Sequence, residues 1–332
     1  MKKLIPICLV VIITSCQVPQ PPKTIGSIER LDPALDNIIS PTAKPEIIAE
    51  GLDWSEGPLW IENQKMLLFS DVPRDTIFKW TEDKGKEVYL TPSGYTGTIK
   101  RGGEMGSNGL LIDKNGHLVL CQHGDRQMAR MDAPLDKPEA KYSSIANQYN
   151  GKKFNSPNDA VYNSSGELFF TDPPYGLEKQ LDDPHKEIPF QGVYKVKQDG
   201  SVVLLLDSIT RPNGIAFFPG EKKLIIANSD EAKPNWYVFD VSEKDSLYNG
   251  HIFYSVAGHD KKLKGLPDGL KIDKNGNVFA TGPGGIYIFN SDAKLLGRIK
   301  FADATSNCAF SADEKTLYIT NDMYVLRLKM RD

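Results

Sequence analysis

A sixfold internal repeat constrains this chain more than any other feature of its sequence. The copies read SEGPLWIENQKMLLFS from Ser55, SNGLLIDKNGHLVLC from Ser107, PNDAVYNSSGELFFT from Pro157, PNGIAFFPGEKKLII from Pro212, PDGLKIDKNGNVFAT from Pro267 and SNCAFSADEKTLYIT from Ser306. Each carries a side-chain oxygen at its second position: Glu56, Asn108, Asn158, Asn213, Asp268 and Asn307. These key residues lie 52, 50, 55, 55 and 39 positions apart. Short strand-like runs repeating at roughly 40–50 residues are the mark of a β-propeller. The turns inside the copies, such as Asp113-Lys114-Asn115-Gly116 and Asp273-Lys274-Asn275-Gly276, are of hairpin type, because Asn-Gly supplies the positive φ that tight connections need. The flanking runs (TIFKW, GVYKV, NWYVFDV, GIYIF) alternate with a period near two and are rich in β-branched and aromatic residues.

The expectation is an all-β, six-bladed β-propeller over residues 46–332. Only 25 residues follow Asn307, too few for a full blade, so the strand-like segment Glu46–Glu50 is expected to complete the last blade and close the ring. The polar stretches 142–155 and 178–190 read as loops that carry specificity.

The N-terminus reads differently. Lys2 and Lys3 precede an apolar run, Leu4–Ile13, that is too short to span a bilayer, and Ile13-Thr14-Ser15-Cys16 resembles a bacterial lipobox. Residues 1–15 are expected to be a lipoprotein signal peptide and residues 16–45 a lipidated Cys16 followed by a flexible tether, which places the chain in the cell envelope. The only membrane contact expected is that anchor. Cys121 and Cys308 sit in apolar strand-like runs and read as buried thiols. A net charge of −3 and the lack of a basic patch argue against a nucleic-acid partner. There is no G-x-S-x-G, H-E-x-x-H or phosphate-binding glycine fingerprint.

In a closed ring, equivalent positions converge on the axis. The six key residues then offer two carboxylates and four amides at one mouth. That hard-oxygen set suits Ca²⁺, which takes 6–8 oxygens, better than Zn²⁺, which favours His and Cys. Two carboxylates facing each other in a channel repel unless one protonates or a cation joins them.

The motifs EGPLW, CQHGDRQMAR, KKFNSPNDAVYNSSGELFFTDPPYG, RPNGIAF and LPDGLKIDKNGNVFATGPGG resemble those of the regucalcin/gluconolactonase/luciferin-regenerating family, above all its bacterial gluconolactonase branch, over residues 46–325. The resemblance implies a lactone-hydrolysing propeller with a divalent ion, commonly Ca²⁺ and replaceable by Mg²⁺, Mn²⁺ or Zn²⁺, at the axial mouth. By motif, the metal ligands are Glu56, Asn158, Asn213 and Asp268, with Asp268 also the general base. Animal members carry an arginine two residues before the Asn of the third motif; Ser156 stands there in this chain. Asn108 is a candidate substrate contact, His123 a candidate to orient water or bind substrate, and Arg126 a candidate to anchor a substrate hydroxyl or carboxylate. Asp159 is a candidate ligand of a second, buried calcium, as in some related propellers. The alternatives are the same chemistry on another lactone, ester or organophosphate, and a non-enzymatic binding propeller with structural calcium.

Overall fold

A computed structural model describes residues 22–242 and 246–331. Their regular secondary structure is almost entirely strand, with three short 3-10 helices. Six antiparallel sheets surround a channel. Blade 1 is Ser55–Ile61, Met66–Asp71, Thr76–Thr81 and Gly85–Leu90; blade 2 is Ser107–Ile112, Leu118–Gln122, Gln127–Met131 and Tyr142–Ala146. Blade 3 is Ala160–Tyr162, Leu168–Asp172, Gly192–Val196 and Val202–Leu206; blade 4 is Pro212–Phe217, Lys223–Asn228, Asn235–Val241 and Leu247–Ser255. Blade 5 runs Leu270–Ile272, Val278–Gly282, Gly285–Phe289 and Leu295–Lys300, and blade 6 Thr305–Phe310, Thr316–Asn321 and Tyr324–Lys329.

The turn chemistry explains why the hairpins fold locally. Asp113 Oδ1 accepts from Asn115 N at 2.8 Å and His117 N at 2.9 Å, and Asp273 Oδ1 accepts from Asn275 N at 2.9 Å and Asn277 N at 2.8 Å. The glycine that ends each turn has φ near 84° (Gly116 and Gly276), which a side chain would resist. Packing lies between blades: six apolar clusters occupy the six blade interfaces, for example Leu120 and Met131 against Leu68 and Ile77 between blades 1 and 2. Second strands such as Met66–Asp71 and Leu118–Gln122 are buried on both faces, so they read as near-continuous apolar runs.

The ring closes as expected. Glu46–Glu50 pairs antiparallel with Tyr324–Lys329, with Ile47 opposite Leu326, as the outer strand of blade 6. The tether is corrected over the described part of its range. Ser27–Arg30 adds a fifth strand to blade 5, with Ile28 opposite Ile299, and the helix Pro33–Asn37 buries Leu35 on blades 5 and 6. Arg30 donates to Ile39 O and Ser40 O at 3.0 and 2.7 Å, which ties this crossing down. Its apolar residues, among them Ile25, Ile28, Leu35, Ile38 and Ile39, do not alternate with the period of two that marks the blade strands. The expected signal peptide and Cys16 lie outside the described residues. Within 142–155, the first residues form the outer strand of blade 2 and the rest a small hairpin, Gln148–Tyr149 with Lys152–Lys153. Cys121 and Cys308 are free and fully buried.

Candidate functional site at the channel mouth

Every key residue sits where the innermost strand of its blade breaks step. In blades 1, 2, 4 and 6 the pairing register shifts at the key residue, between Glu56 and Leu59, Ser107 and Leu110, Pro212 and Ile215, and Thr305 and Asn307. In blades 3 and 5 the ladder starts two residues after Asn158 and Asp268. Bulges re-aim a side chain out of the sheet plane, here toward the axis. The glycine that follows most key residues is not a turn residue. A Cβ on Gly57 would lie 2.1 Å from Asn108 O, one on Gly109 2.8 Å from Asn158 O, and one on Gly214 2.3 Å from Asp268 O. Each glycine makes room for the next blade's key backbone.

Hydroxyls on the second strands brace this inner ring. Ser70 Oγ donates to Asn108 O at 2.9 Å, Thr171 Oγ1 to Asn213 O at 2.7 Å and Thr281 Oγ1 to Ser306 O at 3.0 Å, each reaching the next blade. One residue further on, Asp71 takes Trp54 N, Asp172 takes Asn155 N and Ser156 N, and Asn228 takes Arg211 N, which holds the segments entering the inner strands.

These constraints open a cavity of about 420 Å³ at the mouth, within the size range of ligand clefts. Glu56, Asn108, Asn158, Asn213 and Asp268 all reach it, from five different blades. Asn307 does not. Its Nδ2 points to Glu56 Oε2 at 3.4 Å, while its Oδ1 is taken by Cys308 N at 2.9 Å and Lys271 Nζ at 3.3 Å. Sequence register missed the residues that loops contribute: Glu104, Tyr175 and Arg211 line the same cavity, as do Trp54 and Ser229. Arg211 stands two residues before Asn213 and Tyr175 lies in the DPPYG run, so both were adjacent to recognised motifs; Glu104 had no periodic signal.

Two expectations are corrected. Arg126 is not on the cavity wall: its guanidinium donates to Phe154 O at 2.6 Å, His185 O at 2.9 Å and Lys153 O at 3.4 Å, so it fastens the loops beside blade 3. His123 is fully buried and also absent from the wall. It lies behind two wall residues, with Nε2 3.4 Å from Asn158 Nδ2 and Nδ1 3.5 Å from Glu104 Oε2. Burial pushes its pKa down to about 3, so the ring is neutral and Nε2 can accept from the Asn158 amide. In the ladder Gln122, opposite Ser107, is the blade 2 counterpart of Asp71 and Asn228, and His123 is the next residue. Ser156 is likewise structural: its Oγ donates to Pro173 O at 2.6 Å and accepts from Gly176 N at 2.9 Å, bracing the turn that presents Tyr175.

The electrostatics of the cavity favour a cation. Burial raises Glu56 above its ordinary range, the Asp159 charge adds to the rise, and Gly57 N opposes it. Asp268 is raised well above its ordinary value, first by burial and then by the charges of Glu56, Glu104 and Asp159. Glu104 is pushed up to about 7 by burial. Against this, Asn108 Oδ1, Asn158 Oδ1 and Asp268 Oδ1 are buried and accept no hydrogen bond. Asn213 donates Nδ2 to Ser229 Oγ at 3.0 Å, which leaves its oxygen unspent. Buried acceptors without donors are costly; a hard cation satisfies those of Asn158, Asn213 and Asp268 together and leaves Asn108 Oδ1 for a substrate donor. Among the described residues no group of three or more His, Cys, Asp and Glu has a metal-binding arrangement; the donor set here is mixed amide and carboxylate. The residues present therefore fit an oxygen-seeking divalent ion.

The fold and this mouth define a class: six-bladed propellers with an amide–carboxylate centre on the channel axis. Residues 54–322 match the family model described as SMP-30/Gluconolactonase/LRE-like region, and the chain belongs to that family. It is 39% identical to the gluconolactonase of Zymomonas mobilis over 314 residues, which covers 93% of this chain and 87% of the relative. A solved gluconolactonase from Xanthomonas campestris superimposes with a TM-score of 0.80 at 28% identity, covering 95% and 99% of the two chains. A calcium-binding regucalcin from Agrobacterium tumefaciens shares the fold, with a TM-score of 0.66 at 16% identity over 86% and 94%.

Proposed function

We propose that this chain hydrolyses a sugar lactone such as glucono-1,5-lactone, using a divalent ion, Ca²⁺ by preference, held by Glu56, Asn158, Asn213 and Asp268. The observation that carries the reading is the set of unpartnered buried oxygens on Asn108, Asn158 and Asp268, in one cavity with three carboxyl groups of raised pKa. Family membership and the likeness to the Zymomonas gluconolactonase support the substrate class.

When bound, the ion supplies Lewis-acid stabilisation of the negative charge that develops on the lactone carbonyl oxygen. The protein does the rest. The Asp268 carboxylate takes a proton from the water whose oxygen attacks the carbonyl carbon. The ring C–O bond then breaks, and Glu104, with its pKa near neutrality, is suited to return a proton to the ring oxygen. Tyr175 and Arg211 line the same cavity. The Arg211 guanidinium lies 5.7 Å over the Tyr175 ring, and it spends Nη1 on Gln180 Oε1 at 3.0 Å, leaving donors for sugar hydroxyls. His123 acts through Asn158, whose amide it orients.

The test is Asp268→Asn, followed by acid release from glucono-1,5-lactone. The variant is expected to fold and bind calcium while turnover falls by roughly 10²–10⁴-fold, the usual contribution of a general base. Wild-type turnover in that variant contradicts the role of Asp268. A panel of homoserine lactones, aryl esters and organophosphates run beside it identifies the substrate if the sugar lactone is not hydrolysed. Calcium binding with no hydrolysis of any member supports a binding propeller instead.

A further inference from the structure

Below the mouth, the channel holds a charged group that the proposed reaction leaves unused. Lys271, on the inner strand of blade 5, donates Nζ to Leu270 O at 3.0 Å and to Asn307 Oδ1 at 3.3 Å, and the same atom stands 3.7 Å from Asp159 Oδ2. Asp159 is 4% exposed; its Oδ1 accepts from Ala160 N at 2.9 Å, and its Oδ2 accepts no hydrogen bond. A buried carboxylate oxygen in that state is strongly unfavourable unless a cation faces it. Asn307 is 2% exposed and uses both ends of its amide. With the oxygen held by Lys271 and Cys308 N, the NH₂ group is directed at Glu56 Oε2. Reversed, the amide would set its NH₂ against an ammonium and its oxygen against a carboxylate, so Lys271 fixes its orientation. The contacts run in one line from Asp159 through Lys271 and Asn307 to Glu56, across blades 3, 5, 6 and 1.

We infer that Lys271 is a built-in cation of the channel: its ammonium stands between Asp159 and Asn307, where a second divalent ion would otherwise bind, and it positions Asn307 to hold Glu56 at the mouth. The expectation that Asp159 serves a second, buried calcium is thereby replaced by a lysine. The inference rests on the reading that the mouth takes one ion. Lys271 touches neither substrate nor mouth ion, so it is a positioning residue. A chelator would empty the mouth and leave the axis neutralised.

The experiment is a calorimetric Ca²⁺ titration of chelated wild type, Lys271→Ala and Lys271→Ala/Asp159→Ala. One ion per chain is expected for wild type, two for Lys271→Ala, and one again for the double variant. Two ions in wild type, or one in Lys271→Ala with unchanged affinity, overturns the inference. Wild type that binds no calcium counts against the mouth reading alone, and the axis is then read from folding. In a double-mutant cycle of Lys271→Met and Asp159→Asn, denaturant unfolding should show coupling of about tenfold in the equilibrium constant, as contacting charged residues do. Additive effects overturn the inference. If Lys271→Met does not fold, Lys271→Met/Asp159→Asn is expected to fold, and its failure also overturns the inference.

Discussion

Glu56, Glu104 and Asp268 share one cavity, and burial favours the protonated form of each, with neighbouring carboxylates adding to the rise at Glu56 and Asp268. The consequence for stability has a definite sign. A carboxyl whose folded pKa is raised holds a proton that the unfolded chain has already released, so stability falls as pH rises from its ordinary value to its raised one. For Glu104 that window runs from 4.5 to about 7, and Glu56 and Asp268 act in the same direction. His123 opposes them only below its ordinary value of 6.5, where the unfolded chain gains a proton that the buried ring refuses. Chelated protein is therefore expected to lose melting temperature between pH 6.5 and about 8, and added Ca²⁺ to restore it. Thermal melts at those two pH values, with and without metal, check this; a chelated melting temperature that rises with pH contradicts it.

At the scale of the strand, the site is made by the glycines after Glu56, Asn108, Asn213 and Asp268 as well as by the key residues themselves. Gly214→Ala would bring a methyl group within 2.3 Å of Asp268 O. Backbone cannot rotate away as a side chain can, so the variant is expected to lose about 1–3 kcal/mol of stability, the usual range for overpacking, together with calcium affinity. Gly116→Ala, in an exposed hairpin turn with nothing near its Cβ, should lose stability without loss of affinity. Denaturant unfolding and calcium titration of the two variants separate these outcomes. The same contrast shows what was legible in the sequence. The inner-strand residues repeat with the blade, so Glu56, Asn108, Asn158, Asn213 and Asp268 stood out together. Glu104, Tyr175 and Arg211 come from segments that differ between blades, where no period exists to read. His123 does not reach the cavity because it is buried behind Asn158 and Glu104, which spacing along the sequence does not reveal. Asn307 repeats in register yet faces away, because Lys271 and Cys308 N take its oxygen.

At the scale of the whole molecule, closure was legible and the crossing that precedes it was not. Glu46–Glu50 repeats the apolar pattern of an outer strand, whereas Ser27–Arg30 and the Leu35 helix hold their place through tertiary contacts such as Arg30 to Ser40 O. Deletion through residue 22 is expected to leave the melting temperature unchanged. Deletion through residue 50 exposes the Tyr324–Lys329 edge and uncovers Val325 and Leu326, and should yield aggregating or unfolded protein. Equal melting temperatures for the two truncations would contradict a ring closed by that strand. We propose further that Cys16 anchors the chain in the bacterial cell envelope through lipid; metabolic labelling with palmitate should mark the wild type and not Cys16→Ser, and equal labelling would contradict it.

The central claim is that the axial mouth hydrolyses lactones with a bound divalent ion. Its most direct test is the rate of acid release from glucono-1,5-lactone by full-length protein, measured after chelation and again after stepwise addition of Ca²⁺. The predicted result is spontaneous hydrolysis alone in the chelated sample and saturable recovery with calcium. Full activity in protein shown by elemental analysis to contain no metal would contradict it.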